Sequence, residues 1–477
     1  MKFNSILFII GLGLLFMMGC NPKAEKQRAS NADVEIVILS VNDMHANIDM
    51  FPRFAYVVDS LRQVYPDLLL FSAGDNCTGN PANDQYQPAN YPMIELMNEV
   101  GFDITAVGNH EWDVNIDNLK KNIEQAHFPF VCANVYNDGQ LKLDIDPYVF
   151  IENQGVKIAI LGMIEVRHDD IPGTHPMNLT HLHFKKGMDV IPQYRNLRKQ
   201  ADVFILLSHM GFEEDIEVAK DYPFFDAIIG GHSHTLIEKP GETKGVLITQ
   251  AGSHLNYATL TKIGLKEGKV VSKNAVTLDL RKGKRIDKKM KALVDGFNDN
   301  KALTEPIATA LTKFETKEAL GYLLTDAIRE ESGADFAFQN TGGVRVNYLR
   351  KGPISVKDVY MIDPFNNEIV VFTMTGKQLK NYIINSYKKN GRIPSYVSGM
   401  HYEMQTDGAL GVYITPDEKR FSMNDTYTVA MNSYMASTVD FESVDEGRST
   451  FKTSEEMLID YLRKTKTVDY QGVMRIK

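Results

Sequence analysis

The sequence predicts an α/β fold for residues 33–280 and a smaller α+β domain for residues 303–477. Three observations predict it. A chain of 477 residues, 43% hydrophobic and 24% charged, is ordinary globular material but too long for one typical core. Through residue 280, short runs rich in Ile, Leu and Val alternate with stretches of helical spacing. That rhythm then breaks at a basic stretch, residues 281–297, after which a second pattern starts near Leu303. The formal charge of −9 gives no long-range attraction for a nucleic-acid polymer, so none is expected as partner, and any phosphate site must carry its own local positive charge.

Taken in order, the chain begins with Lys2 and an apolar run from Ile6 to Gly19, about the length of a secretory core and short for a membrane span. It ends in Met17-Met18-Gly19-Cys20, which resembles a bacterial lipoprotein signal. Residues 1–19 are then a signal peptide, Cys20 is the lipidation site, and residues 20–32 are a flexible tether. The expectation is an exported protein, lipid-anchored to the membrane at the periplasmic face or the cell surface. With Cys20 acylated, Cys77 and Cys132 remain. Export would permit a disulfide, but a chain of this size needs no staple, and two buried thiols are expected.

EIVILSV (35–41), DLLLFSAG (67–74), DITAVG (103–108), FPFVCANV (128–135), KIAILGMI (157–164), DVFILLS (202–208) and DAIIGG (226–231) read as strands, several of them covered on both faces. FAYVVDSLRQVY (54–65) and NLKKNIEQAH (118–127) read as helices between them. VLITQAG, TLTKIGL and VVSKNAVTLDL add further strands, and residues 281–302 form a linker helix.

Polar residues of one chemical kind stand at the ends of these strands. Asp43 and His45 follow the first, Asp75 the second, Asn109 and His110 the third, His209 a later one, and His232 and His234 the one after it. In open α/β sheets the loops beyond the carboxyl ends of the strands converge on one crevice. Singly, each residue also fits turn or cap chemistry; it is their joint recurrence that points to one site. His, Asp and Asn offer nitrogen and hard oxygen without thiolate, which suits Zn²⁺, Mn²⁺ or Fe. The set is too large for one tetrahedral ion and fits two divalent metal ions sharing a carboxylate.

Asp43-x-His45, Gly74-Asp75-Asn76, Gly108-Asn109-His110-Glu111 and Gly231-His232-Ser233-His234 resemble the signature of the calcineurin-like metallophosphoesterases, in order and in spacing. The resemblance implies a four-layer α/β/β/α sandwich. It implies that Asp43, His45, Asp75 and His234 bind one metal, and that Asp75, Asn109, His209 and His232 bind the other. His110 is similar to the family's non-liganding catalytic histidine, with Asp113 as the carboxylate that orients it. Glu111 and Trp112 are assigned to helix start and packing.

Residues 303–477 resemble the C-terminal substrate-binding domain of 5′-nucleotidases, through Asn340-Thr341-Gly342-Gly343-Val344-Arg345, Pro364-Phe365-Asn366-Asn367, and Asn432-Ser433-Tyr434 followed by Asp440. The glycines Gly342 and Gly343 allow backbone N–H groups to approach an anion, and Arg345 can clamp it. The resemblance implies a base held between Phe365 and Tyr434 and touched by Asn367, with Asp440 on the ribose and Asn340, Gly342, Gly343 and Arg345 of the turn as further substrate-binding residues. The chain departs from the family where an Arg normally precedes the helix at residue 318; Lys313 and Lys317 are the cations at hand. The expected activity is hydrolysis of nucleoside 5′-phosphates by a metal-activated hydroxide. Hydrolysis of 2′,3′-cyclic nucleotides or UDP-sugars is the alternative on the same fold, and a lipid-anchored nucleotide-binding or adhesion protein without turnover is the alternative from another class.

Overall fold

A computed structural model describes residues 32–476 apart from 138, 140–142, 168–169, 391–394, 405–409, 415–418, 421, 439–444 and 446. The signal segment, Cys20 and Asp440 lie outside the described residues.

The first-domain strands form two sheets. Strand Val34–Val41 pairs in parallel with Leu69–Ser72, the central strand of a seven-stranded sheet, on one side and antiparallel with Tyr257–Lys266 on the other. Val156–Ile164, Val203–His209, Ala227–Gly230 and Val246–Thr249 are parallel neighbours in a six-stranded sheet. Alternation along each strand separates the layers. Ile36 and Ile38 meet Ile158, Ile160, Ile205, Leu207 and Ile229 in the core between the sheets. Val37, Leu39 and Val41 face the other way, onto Phe54 and Val58 of the helix Phe51–Arg62. Leu161, Phe204 and Leu206 pack against Val218 and Ala219 of the helix Phe212–Asp221. The result is the α/β/β/α sandwich.

The two sheets approach closely at Gly162, where an added Cβ would fall on the Val131 carbonyl and lie 2.8 Å from Val131 Cγ2. Backbone cannot move aside as a side chain can. Gly162→Ala is therefore expected to destabilise the domain by about 1–3 kcal/mol, read as a lower urea midpoint at unchanged m-value.

The expected single linker helix over residues 281–302 is instead a 3₁₀ turn at Leu280–Lys282, a helix Lys288–Asn298 and the start of a short helix Lys301–Thr304. Met290 and Val294 bury the helix Lys288–Asn298 in the first domain's core, so it is part of that body rather than a free connector. The strands Tyr148–Asn153 and Gly241–Thr243 and the helix Tyr91–Val100, whose Met93, Ile94, Met97 and Val100 recur at helical spacing, are not among the elements expected from the sequence.

In the second domain, Phe336–Asn340 and Thr426–Asn432 are parallel neighbours in a five-stranded sheet. The helices Lys317–Ser332 and Ser454–Thr465 pack on one face through Leu320, Leu324, Leu458 and Leu462. The other face packs on Leu379 and Ile383. The carboxyl ends of the two parallel strands lead into the turn at Thr341–Gly343 and the helix Ser433–Thr438. Both point at the first domain's loops.

Candidate metal centre and substrate cavity

The first two liganding loops are zipped together by backbone. Asp43 N–H donates to Gly74 O at 2.9 Å, His45 N–H to Asp75 O at 3.0 Å and Ala46 N–H to Asn76 O at 2.8 Å, prolonging the parallel ladder beyond the strand ends. Gly74, at φ +90°, is needed there: a Cβ would lie 2.8 Å from both Gly108 N and His209 Nδ1. Five candidate ligands take the left-handed backbone that side chains avoid, with φ of 48° at Asp43, 46° at His45, 53° at Asp75, 73° at His232 and 54° at His234. Such strain costs about 1–3 kcal/mol each and persists where the surroundings over-determine it.

The side chains converge in two clusters. Asp43, His45 and His234 place one ligand atom each within 4.8 Å of one another, and so do Asp75, His209 and His232. Asp75 also groups with His45 and His110, so its carboxylate lies between the clusters. Asn109 Oδ1 joins the second at 3.0 Å from His232 Nδ1. Backbone carbonyls set the imidazoles: His45 Nδ1 donates to Thr78 O at 3.2 Å and His209 Nδ1 to Ala73 O at 2.6 Å. Each therefore turns Nε2 inward with its lone pair free.

These residues fit divalent cations. His45 Nε2 and His234 Nε2 face each other at 2.9 Å, so that a cation replacing the proton between them would find two imidazole nitrogens aimed at it. His209 Nε2 is buried without a hydrogen-bond partner although it lies 3.1 Å from Asp75 Oδ2. Burial pushes His45 well below its ordinary value, with Arg345 adding to the effect, and burial and then His209 push His232 down to about 4. Neutral imidazoles are what a metal requires. Despite burial, Asp75 raises His209 to about 10: a proton is drawn to the place a cation would take. Cys77 and Cys132 are free and buried, and burial raises both thiols, which keeps them out of the donor set.

His110 stands at the rim. Its Nδ1 is 2.6 Å from Asp113 Oδ2, its Nε2 is 3.9 Å from Asp75 Oδ2, and its backbone N–H donates to Asp75 Oδ1 at 2.9 Å. Burial opposes its protonation, but Asp113 and Asp75 outweigh burial and raise its pKa. Thr174 Oγ1 donates to Asp113 Oδ1 at 2.9 Å and holds the carboxylate in place. Between the domains lies a cavity of about 170 Å³, lined by His110 and Asp113 from the first and by Asn340, Gly342, Arg345, Phe365, Asn367 and Tyr434 from the second. Phe365 stacks on the His110 ring at 5.8 Å, and Arg345 Nη2 comes within 3.5 Å of His45 Nε2.

Several residues differ from expectation. Gly343 is buried in the turn, where a Cβ would collide with Gln339 Nε2, and it is Gly342 that lines the cavity. Lys313 and Lys317 line a neighbouring cavity of about 1120 Å³ on the second domain. The cation brought to the site instead is Arg167, whose Nη1 donates to Tyr434 Oη at 2.7 Å. Glu111 does more than start a helix: its carboxylate accepts from the N–H groups of Asp75, Asn76 and Gly108 at 3.0, 2.7 and 2.6 Å, clamping two liganding loops together. Trp112 is fully buried in the core, as assigned. Gly173, Thr174 and His175 line the cavity. His254, with its N–H on Asp43 O at 2.7 Å, sets its ring 5.2 Å from that of His45.

Comparison with known proteins matches these two halves in the same order. Residues 36–236 match the calcineurin-like phosphoesterase family, and residues 301–442 match the 5′-nucleotidase C-terminal domain. Protein UshA of Yersinia enterocolitica is 27% identical over 96% of each chain, and a 5′-nucleotidase of Vibrio parahaemolyticus is 25% identical over 96% of this chain and 94% of its own. The crystal structure of a 5′-nucleotidase precursor from Thermus thermophilus superposes with a TM-score of 0.81 at 24% identity, covering 93% of this chain and 99% of the other. With both domains matched and a donor set suited to divalent ions at their junction, the chain belongs to the 5′-nucleotidase family and is a metal-dependent phosphoester hydrolase.

Proposed function

We propose that this protein hydrolyses nucleoside 5′-phosphates to nucleoside and phosphate. The observation that carries the reading is a cavity that His110, 3.9 Å from the Asp75 carboxylate of the candidate metal centre, lines together with Phe365, Asn367 and Tyr434. Asp43, His45, Asp75 and His234 would hold one ion and Asp75, Asn109, His209 and His232 the other. When bound, divalent ions supply polarisation of the phosphoryl oxygens and acidify the attacking water. The chain's own groups do the rest. Arg345 reaches from the cavity to the metal centre and clamps the phosphate between them. His110, held by Asp113, faces the scissile phosphate and can donate a proton to the leaving 5′-oxygen. Phe365 and Tyr434 present ring faces that tolerate any base.

A specific feature favours a second reading. A groove of about 820 Å³ reaches His45 and His254 from the other side, past Asn80, Tyr348 and Arg350. A substituent on the scissile phosphate would fit there, as in a nucleotide sugar or a phosphodiester.

We also propose that the enzyme works outside the cytoplasm, tethered through Cys20. The sequence Met17-Met18-Gly19-Cys20 supports this, and among the described residues no helix is long and apolar enough to cross a membrane.

The test is phosphate release, with Mn²⁺ or Zn²⁺, from AMP, UDP-glucose, a 2′,3′-cyclic nucleotide and an aryl phosphate. AMP is expected to exceed the aryl ester in kcat/KM. Tyr434→Ala is expected to raise KM for AMP by about tenfold, the equivalent of one lost stacking contact, and to affect the aryl ester less. Equal rates on AMP and aryl phosphate would remove the nucleotide from the reading.

A further inference from the structure

Beneath the cavity lies a second group of buried acids that the chemistry above does not use. Asp363 caps the helix Val356–Ile362, Ser454 and Glu455 open the helix Ser454–Thr465, and all three are fully buried. Asp363 Oδ2 accepts from Ser454 Oγ at 2.9 Å and from Gln339 Nε2 at 3.2 Å, and its Oδ1 accepts from Phe365 N–H at 3.4 Å. Glu455 Oε1 accepts from Asn366 N–H at 2.7 Å, and its Oε2 lies 3.2 Å from the same Ser454 Oγ.

A serine hydroxyl has one proton to donate. Two carboxyl groups lie within hydrogen-bond distance of it, so one of them must bring a proton of its own. Both carboxyl groups accept further N–H groups, but Asp363 is in addition faced by the Arg345 guanidinium, which favours its charged form. The extra proton therefore falls to Glu455, which donates to Ser454, which donates to Asp363.

What this chain holds is the loop from Pro364 to Asn367. Phe365 N–H and Asn366 N–H end on the two acids, and Ser454 N–H donates to Asn367 O at 3.0 Å. We infer that Asp363 and Glu455, joined through Ser454 and sharing one proton, are positioning residues that seat Phe365 and Asn367 against the nucleoside, and that loss of the proton releases the loop. This rests on the reading of the cavity as a nucleotide site.

Burial, with the Asp363 charge adding, pushes Glu455 up to about 8, and burial pushes Asp363 up to about 6. From neighbouring elements, Arg345 faces the pair and favours ionised Asp363, and Tyr360, itself raised by burial, faces Glu455; Glu456 lies next to it on its own helix. In the unfolded chain a Glu titrates near about 4.3. The stability that the shared proton contributes is therefore complete below that value and is lost as the pH rises through about 8.

The test uses the metal-loaded full chain, with KM and kcat for AMP and for an aryl phosphate measured from about pH 6.5 to 9.5, a window spanning the titration. In Glu455→Gln the amide donates to Ser454 as the protonated acid does and still accepts from Asn366. For the unmodified protein, KM for AMP is expected to rise about tenfold across the window, as one stacking contact is lost, while the aryl ester shows no matching rise. Glu455→Gln is expected to keep the low KM throughout, and to lose less thermal stability than the unmodified protein over the same window. A parallel KM rise in Glu455→Gln, with AMP still the better substrate, overturns this inference alone. AMP without advantage at any pH overturns the cavity reading and this inference with it. If Glu455→Gln does not fold, Ser454→Ala decides: KM for AMP is expected to be raised already at neutral pH, and an unchanged KM there overturns the inference.

Discussion

Replacing Asp75 by Asn is expected to lower kcat/KM for AMP by about 10³-fold or more, about 4 kcal/mol of transition-state stabilisation. The same variant is expected to lose more bound divalent metal than Asp43→Asn. The reason is geometric. One carboxylate lies 3.1 Å from His209 Nε2 and 3.9 Å from His110 Nε2, and groups with His45 as well. Among the described residues no other candidate ligand groups both with His45 and with His209. Although burial opposes it, the positive fields of His209 and His110 hold Asp75 well below the usual carboxylate range, so it is an anion. Two cations held by these clusters would need an anion shared by both, and an amide of the same shape would not supply its charge. An amide would also turn N–H groups toward the His110 N–H or toward His209, where Asp75 now accepts or attracts protons. Metal analysis of the purified variants, alongside kinetics, decides it. Full metal content with activity within tenfold of the unmodified enzyme would sink the bridging role.

The candidate ligands are legible in the sequence because they obey a rule of topology. Asp43, Asp75, Asn109, His209 and His232 each follow an apolar run, and the ends of parallel strands must meet. What is not legible depends on contacts between distant segments. Glu111 acts on backbone at Asp75 and Asn76, and no local pattern distinguishes such a carboxylate from a helix-start residue. His254 is held by Asp43 and Asn47, more than 200 residues earlier, by N–H to Asp43 O and by Asn47 Nδ2 to its carbonyl at 2.7 Å. Arg167 belongs to the site only because the second domain brings Tyr434 to it. Gly343 shows the opposite error. A glycine pair reads as an anion cradle, but one of the two is there because Gln339 leaves no room for a side chain. Motifs name the residue types that chemistry needs; packing decides which of them face the substrate.

His110→Ala is expected to lower kcat for AMP by about 10²–10⁴-fold while leaving the metal content unchanged, since His110 lies outside the two three-residue clusters formed with Asp43 and with His209. The size of the loss should depend on the leaving group. An alkoxide such as the nucleoside 5′-oxygen leaves poorly unless protonated, whereas a nitrophenolate leaves without help. If His110 is the proton donor, the loss on AMP should exceed that on nitrophenyl phosphate by about tenfold or more. If the imidazolium only stabilises charge on the phosphoryl oxygens, both substrates lose equally. The structure favours the first outcome. Asp113 Oδ2, at 2.6 Å, fixes Nδ1 as a donor and raises the ring's pKa, and Nε2 is left to face the centre. Phe365, stacked on the same ring at 5.8 Å, lines the cavity beside that proton, so a nucleoside held against it would bring the leaving oxygen to the histidine.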